Sequence, residues 1–113
     1  MLLFLVLLMA LEADGETSSL YGTPFHVHPK GDRISDTIRK AGAWEPDLVA
    51  SICDELRGYA QPTFLDVGGN IGAVAIGVAQ CAPHATVWAV EAAPWNFELL
   101  EKNAALATNV HAV

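Results

Sequence analysis

The chain is poor in basic residues and has no basic cluster. Its 113 residues include 6 Lys and Arg against 13 Asp and Glu, which gives a formal net charge of −7. This balance repels polyanions, so nucleic acids and anionic membrane surfaces are unfavourable partners. Internal repeats and low-complexity tracts are also absent, and the length has room for one small domain. The composition therefore argues against nucleic-acid binding and against repeat architectures.

Metal-ligating residues are scarce as well. The two cysteines, Cys53 and Cys81, each fall within a predicted helix, and one pair establishes neither a metal site nor a disulfide framework. His26 and His28 would share one face of a strand, but two histidines without a third ligand make a poor metal site. We therefore predict no metal, two buried thiols that act as small apolar groups, and histidines at the surface or on an edge strand.

No apolar run is long enough for an ordinary transmembrane helix. The longest, Met1–Leu11, would span roughly 16 Å as a helix, about half of a bilayer core. Its length suits the apolar region of a secretory signal, although a preceding basic region is absent. The alternatives are a helix packed on the domain and the end of a longer anchor. We predict a signal-like or anchor-like segment, and a secretory or membrane-anchored location over a cytoplasmic one.

The most informative stretch is Thr63–Gly72, which reads T-F-L-D-V-G-G-N-I-G. A short apolar run of strand character is interrupted by Asp66 and followed by three glycines. The apolar segment Ile71–Ala79 comes next and has the length of a helix. Strand, glycine turn and helix in this order are typical of the first half of a nucleotide-binding βαβ unit. A ligand can approach such a turn closely because glycine has no Cβ.

The dinucleotide version of this turn is incomplete. Its second glycine, where a pyrophosphate needs close approach, is replaced here by Asn70, which disfavours NAD and FAD. A second predicted strand, Thr86–Val90, ends in Glu91, about 20 residues after the turn. A carboxylate at that place can accept hydrogen bonds from ribose hydroxyls. The pattern therefore predicts a nucleoside-containing cofactor other than a dinucleotide.

Three motifs resemble class I S-adenosylmethionine methyltransferases, and in particular the FkbM family. They are D-V-G-G-N-I-G in the turn, E-A-A-P-W-N from Glu91, and L-E-K-N-A-A-L from Leu100. The family has E-P-x-P-x-N at the second motif, so Ala92 replaces its first proline. The resemblance extends from about His28 to Val113. It implies S-adenosylmethionine as cofactor and methyl transfer to a hydroxyl of a sugar or natural product, hence a small-molecule or glycan acceptor. The alternatives are a non-catalytic protein that binds the cofactor or a partner and, less favoured, an NAD-dependent oxidoreductase.

The resemblance also implies the residues of the cofactor site. Asp66 is expected near the amino-acid end of the cofactor and Glu91 at the ribose, whereas Asn70 bonds the methionine moiety or holds the turn. Glu45 either lines the pocket or only favours a helix start. No catalytic base can be assigned, and Asn96 and Asn103 are expected on helix surfaces or at helix caps. The full predicted set is Asp66, Gly68, Gly69, Asn70, Gly72 and Glu91.

The predicted fold class is α/β, a partial Rossmann-like methyltransferase domain. Residues 63–113 would supply its first three parallel strands with their crossover helices, so we expect the C-terminal half of the domain to be missing and the fragment to be inactive alone. Residues 1–17 would form the apolar segment and a linker. Residues 18–62 would form an N-terminal extension with helices, in which Ser18–Lys30 is linker and extended chain. The sequence does not predict an oligomeric state.

Overall fold

The computed structural model describes residues 15–113, so the interpretation of Met1–Leu11 as a signal or anchor lies outside the described residues. The five strands are β1 (Glu16–Leu20), β2 (Thr23–Val27), β3 (Thr63–Val67), β4 (Thr86–Val90) and β5 (Val110–Ala112). The four helices are α1 (Arg33–Ala41), α2 (Pro46–Leu56), α3 (Ala73–Cys81) and α4 (Pro94–Ala104). In the part of the chain that the structure describes, no helix is long and apolar enough to cross a membrane.

The C-terminal part is a parallel three-stranded sheet. Its strand order is β3-β4-β5, with α3 and α4 as the crossovers between successive strands. βαβ crossovers are right-handed, and both crossovers here add the next strand on the same side of the previous one. The two helices therefore lie on the same face of the sheet. That face buries Val87, Ala89 and Val110 against the helices. The predicted α/β fold is confirmed, and the predicted bounds of β3 and β4 agree with those observed.

Ser18–Lys30 is predicted as linker and extended chain. The chain is extended there, but β1 and β2 pair as an antiparallel hairpin, so the linker part of the prediction is wrong. Leu20 pairs with Thr23, so the loop contains only Tyr21 and Gly22. Both loop residues have positive φ, 48° and 82°, as a two-residue turn of the I′ kind requires. Tyrosine is an unusual residue at the first position of such a turn, so the Asn-Gly or Asp-Gly signal of a hairpin is absent here.

Asn103 fixes this hairpin to the helices. Its side chain accepts the His26 N–H at 2.7 Å and donates to the carbonyls of His26 at 3.0 Å and Ile71 at 2.8 Å. Asn103 is 1% exposed, so its predicted place at a helix surface or cap is wrong. His28 is buried as well, where a surface or edge histidine was expected. Its ring stacks on Trp95 with the ring centres 4.5 Å apart.

A disulfide joins α2 to α3. It links Cys53 and Cys81, whose Cα atoms lie 6.1 Å apart, so the interpretation of the two cysteines as free thiols is wrong. The two helices approach closely where Gly77 of α3 faces Val49 of α2. A Cβ at Gly77 would lie only 3.1 Å from a Val49 methyl group and 2.9 Å from the Tyr21 ring. The disulfide and the glycine together hold α2, α3 and the hairpin turn as one layer.

The second face of the sheet has no cover among residues 15–113. Leu65 is 58% exposed, Val67 74% and Trp88 40%. Leu65 and His111 flank Trp88 in register, and the His111 ring stacks on the indole. We call Leu65, Val67, Trp88 and His111 the open face. The outer edge of β3 is also unpaired, since β4 is its only neighbour among the described strands.

Candidate functional site

The site begins where β3 ends and the glycine turn leads into α3. Gly68 has φ 79° and Gly72 has φ 97°, values that residues with a Cβ rarely adopt. Gly72 caps the start of α3, and a Cβ there would lie 2.9 Å from the Leu100 side chain. Gly72 is therefore required for helix packing as well as for the turn. Around Gly68 there is open space instead, so a ligand could reach the backbone.

The backbone N–H groups of the turn are engaged within the protein. Those of Gly68 and Gly69 both donate to the Val90 carbonyl, at 2.8 and 2.9 Å. The Gly72 N–H donates to the Gly69 carbonyl at 2.9 Å. A phosphate-binding loop needs such N–H groups free to point at the phosphate oxygens. The three glycine N–H groups are therefore not free to bind a pyrophosphate.

Glu91 ties the turn to the loop after β4. One carboxylate oxygen accepts the Asn70 N–H at 2.9 Å, and the other accepts the Ala93 N–H, also at 2.9 Å. Each carboxylate oxygen can accept a second hydrogen bond. The predicted contact with ribose hydroxyls would use that remaining capacity. Glu91 thus has a structural role that the sequence did not indicate, and its role at a ribose stays a prediction.

Asp66 and Asn70 each carry a buried acceptor atom without a partner. Among residues 15–113, nothing hydrogen-bonds Asp66 Oδ2 or Asn70 Oδ1. Burial raises the pKa of the Asp66 carboxyl above its ordinary value, and the negative charge of Glu91 raises this pKa further. Asn70 holds a left-handed conformation with φ 55°, which non-glycine residues seldom adopt. Buried unpaired acceptors are costly, so both atoms call for a hydrogen-bond donor that the described protein does not supply.

These residues line a pocket of about 420 Å³ between the turn, β3, α2 and the segment before α2. Its described lining contains two carboxylates, those of Asp66 and Glu45. It contains no Lys, Arg or His side chain. The pocket brings together four of the six predicted residues, whereas Gly72 and Glu91 are not part of its lining. The lining residues are Ile34, Trp44, Glu45, Leu48, Ile52, Phe64, Asp66, Gly68, Gly69, Asn70, Ala73 and Val74.

The apolar wall of this pocket was missed at the level of sequence. Leu48 and Ile52 of α2 and Trp44 before it form much of that wall. The available signal was the apolar stripe of α2, which predicted only packing against the sheet. In the structure Leu48 stays 46% exposed. Which residues of the stripe are buried and which line a pocket depends on how α2 packs, and the sequence does not show this.

Solved structures with a similar arrangement of strands and helices include methyltransferases. A precorrin-6y C5,15-methyltransferase from Geobacter metallireducens matches 79% of this chain with a TM-score of 0.52 and 20% identity. The N-terminal domain of EvdMO1, solved with SAH and D-fucose, matches 93% with a TM-score of 0.54 and 17% identity. The chain has a class I methyltransferase fold.

Sequence comparison adds a methyltransferase relative. The release factor glutamine methyltransferase of Burkholderia pseudomallei is 37% identical over 57 residues, which is 50% of this chain and 20% of that protein. No protein-family model matches the chain. The chain spans 43% and 40% of the two solved structures, so it corresponds to less than half of either solved chain.

The lining of the pocket can be compared with S-adenosylmethionine, the methyl donor of class I methyltransferases. S-adenosylmethionine is cationic at its sulfonium and its α-ammonium group and anionic at its α-carboxylate, so its net charge is positive. Three groups of the pocket suit its cationic groups, namely the carboxylates of Asp66 and Glu45 and the unpaired Oδ1 of Asn70, and the described lining has no cationic side chain that would repel them. Within residues 15–113 no group of three or more His, Cys, Asp or Glu could hold a metal ion. The residues therefore fit an organic cation.

Proposed function

We propose that this chain carries the donor-binding part of an S-adenosylmethionine-dependent O-methyltransferase of the FkbM type. The observation that carries the proposal is the polarity of the pocket. Its lining presents acceptor oxygens and carboxylates, and the N–H groups of Gly68, Gly69 and Gly72 are engaged within the protein. A dinucleotide needs the opposite arrangement, with free N–H groups and positive charge near its pyrophosphate. A donor with positive charges and no phosphate matches this pocket.

The residues would divide the donor between them. Asp66 and Asn70 would face its amino-acid end, and open space at Gly68 would admit the backbone approach. Glu91 would accept the ribose hydroxyls while holding the turn closed. When bound, the donor supplies an already activated methyl group on its sulfonium. The protein's task is then largely to align the acceptor oxygen with that methyl group.

We propose a hydroxyl of a sugar or natural product as acceptor. Three motifs of the chain resemble the FkbM family, and one similar solved domain was crystallised in the presence of D-fucose. No residue is assigned as catalytic base, since Asp66 and Glu45, the carboxylates of the pocket, are placed at the donor. A secretory or membrane-anchored location through Met1–Leu11 belongs to the same proposal.

Cofactor choice is tested by calorimetric titration of the purified chain with S-adenosylmethionine, S-adenosylhomocysteine and NAD. We expect both adenosyl compounds to bind at least tenfold more tightly than NAD. Glu101→Gln is the matched control, since Glu101 is exposed on α4 and outside the pocket lining. It should leave all three affinities unchanged. Equal or tighter binding of NAD would overturn the proposal.

A second candidate is a non-catalytic protein that binds the cofactor or a partner. The open face favours it, because exposed apolar side chains on a sheet are a surface that a partner can bury. The two functions separate by sequencing the transcript beyond Val113. Codons for the remaining strands of a methyltransferase domain would favour the first candidate, whereas an immediate stop codon would favour the second.

A further inference from the structure

Trp95 is a large exposed side chain that is nevertheless held in a defined place. It lies in the first turn of α4 and is 64% exposed. One face of its indole stacks on the His28 ring, with the ring centres 4.5 Å apart and an angle of 2° between the ring planes. Since His28 covers one face, the exposed surface of the indole lies mainly on the other face. Ordered aromatic surface of this kind is typical of binding sites.

The His28 ring behind the indole is fixed by its own contacts. The His28 N–H donates to Ser35 Oγ at 2.9 Å, and the ring Nε2 lies 2.9 Å from Asn96 Oδ1. The His28 carbonyl accepts a hydrogen bond from the Arg39 guanidinium. His28 is also buried. The indole therefore rests on a ring of fixed position, and little conformational freedom would be lost when a ligand stacks on it.

Trp95 lines a groove of about 290 Å³ between α4 and the open end of the hairpin. Glu98, Leu99 and Lys102 follow Trp95 by three, four and seven positions, so they share its face of α4. The hairpin end adds Glu16, Val27 and His28 to the lining. The groove has no lining residue in common with the pocket at the glycine turn, so it is a separate place on the surface.

The charged groups at the groove occur as pairs of opposite sign. Glu16 pairs with Arg39 at 2.6 Å, and Lys102 Nζ lies 4.0 Å from a Glu98 carboxylate oxygen. The two pairs leave no net charge that would select a cation or an anion. Carboxylate oxygens still accept further hydrogen bonds, and an ammonium group has three donors. The groove therefore suits a neutral ligand with an apolar face and a hydroxylated edge.

We propose that this groove binds a neutral pyranose sugar, stacked on the free face of Trp95. A pyranose carries C–H groups on its faces and hydroxyls around its edge. The π face of an indole is negative and attracts the weakly positive C–H groups. The hydroxyls can donate to Glu98 and accept from Lys102, whereas a flat aromatic ligand would leave these groups without new partners. The inference goes beyond the proposed function, because the groove is separate from the donor pocket.

The test uses the full chain and methyl β-D-glucopyranoside, followed by saturation-transfer NMR and titration. Sorbitol, an open-chain polyol without a ring face, is the ligand control. We expect the glucoside to bind with a dissociation constant of roughly 1 mM, as a ligand of this size allows, and sorbitol to give no signal. Equal signals from both compounds would overturn the proposal. Tighter Trp95-dependent binding of indole, a flat aromatic probe, would overturn the assignment to a sugar.

Variants of two tryptophans locate the binding. Trp95→Ala should weaken glucoside binding roughly tenfold, and Trp95→Phe by less, because the smaller ring keeps part of the stacking surface. Trp88→Ala is the matched control, since Trp88 is also exposed and stacked on a histidine but lies on the open face, outside the groove. It should leave glucoside binding unchanged.

The donor provides the last comparison. Trp95→Ala should bind S-adenosylhomocysteine as tightly as the parent chain does. A loss of that affinity would place Trp95 at the donor pocket and overturn the separate sugar site. A parent chain that does not bind the glucoside, or equal losses in Trp95→Ala and Trp88→Ala, would also overturn the sugar site, and in both cases the proposed function would stand.

Discussion

The two faces of the parallel sheet have similar residues and different surroundings. On the covered face, Val87 and Ala89 are fully buried under the crossover helices. On the open face, Leu65 and Val67 are more than half exposed, although they are as apolar as their counterparts. Strands of parallel sheets are usually apolar on both sides because helices cover both. The difference shows that apolar character in these strands reflects two-sided burial, while residues 15–113 provide only one side.

The sharpest test of this difference places the same charge on each face. Val87→Lys would bury an ammonium group without a partner, which costs at least about 4 kcal/mol and leaves the chain largely unfolded. Val67→Lys, on the open face at 74% exposure, should change the free energy of unfolding by less than about 1 kcal/mol. Urea denaturation followed by circular dichroism measures both. Similar losses at the two positions would show that the open face is packed in solution.

The disulfide strengthens only the covered side. Cys53 and Cys81 are 28 positions apart in the sequence, and the segment between them includes β3 and the glycine turn. Replacing both with serine should lower the free energy of unfolding by about 3 kcal/mol, because the unfolded chain regains the freedom of that loop. The same loss is expected when the parent chain is reduced with dithiothreitol. The double variant is the control, and a reductant effect on it would point to a different cause.

The open face should affect association more than stability. In Leu65→Lys with Val67→Lys, we expect the chain to self-associate at higher concentration than the parent, while the free energy of unfolding changes by about 1 kcal/mol or less. Sedimentation velocity over a concentration series measures the shift. Leu106→Lys is the matched control, because Leu106 is 58% exposed like Leu65 but lies outside the sheet. An equal shift in the control would mean that added charge alone explains the effect.

The smallest effect concerns Asp66, at the end of the covered face. Its pKa is raised above the ordinary 3.8, so folding disfavours the ionised carboxyl. This penalty is absent at pH values below the ordinary pKa and complete at pH values above the raised pKa. The free energy of unfolding therefore falls as the pH rises from the first value to the second. Asp66→Asn should raise the melting temperature at pH 7 by roughly 2–4 °C, since solvent screens a half-buried group. The gain should vanish towards pH 4. A gain that is constant with pH would exclude titration of Asp66 as its cause.

The sequence predicted the sheet well because its signals are local. The glycine turn after Asp66 and the apolar runs around it define strand, turn and helix without information from distant residues. Glu91 was predicted from its spacing for the same reason. It does more in the structure than the pattern indicated, since it bonds the backbone at Asn70 and Ala93.

What the sequence did not predict depends on distant partners. The hairpin of β1 and β2 has no Asn-Gly or Asp-Gly turn, and only pairing and docking show that Tyr21 adopts positive φ. The sequence around Asn103 is typical of a helix surface. Its side chain is nevertheless buried, and it hydrogen-bonds three backbone groups that are distant in the sequence. The pocket wall at Leu48 and the place of Glu45 in the lining likewise follow from how α2 sits beside the turn. None of these placements follows from local preference.

The link between Asn103 and His26 has a consequence for synthesis. The two residues are 77 positions apart, and His26 leaves the ribosome first. At roughly 5–20 residues per second, the hairpin waits about 4–15 s before its anchoring residue has been made. During this interval the buried faces of Phe25 and Val27 have no α4 to pack against. The nascent hairpin is thus open to chaperones for the whole of this interval.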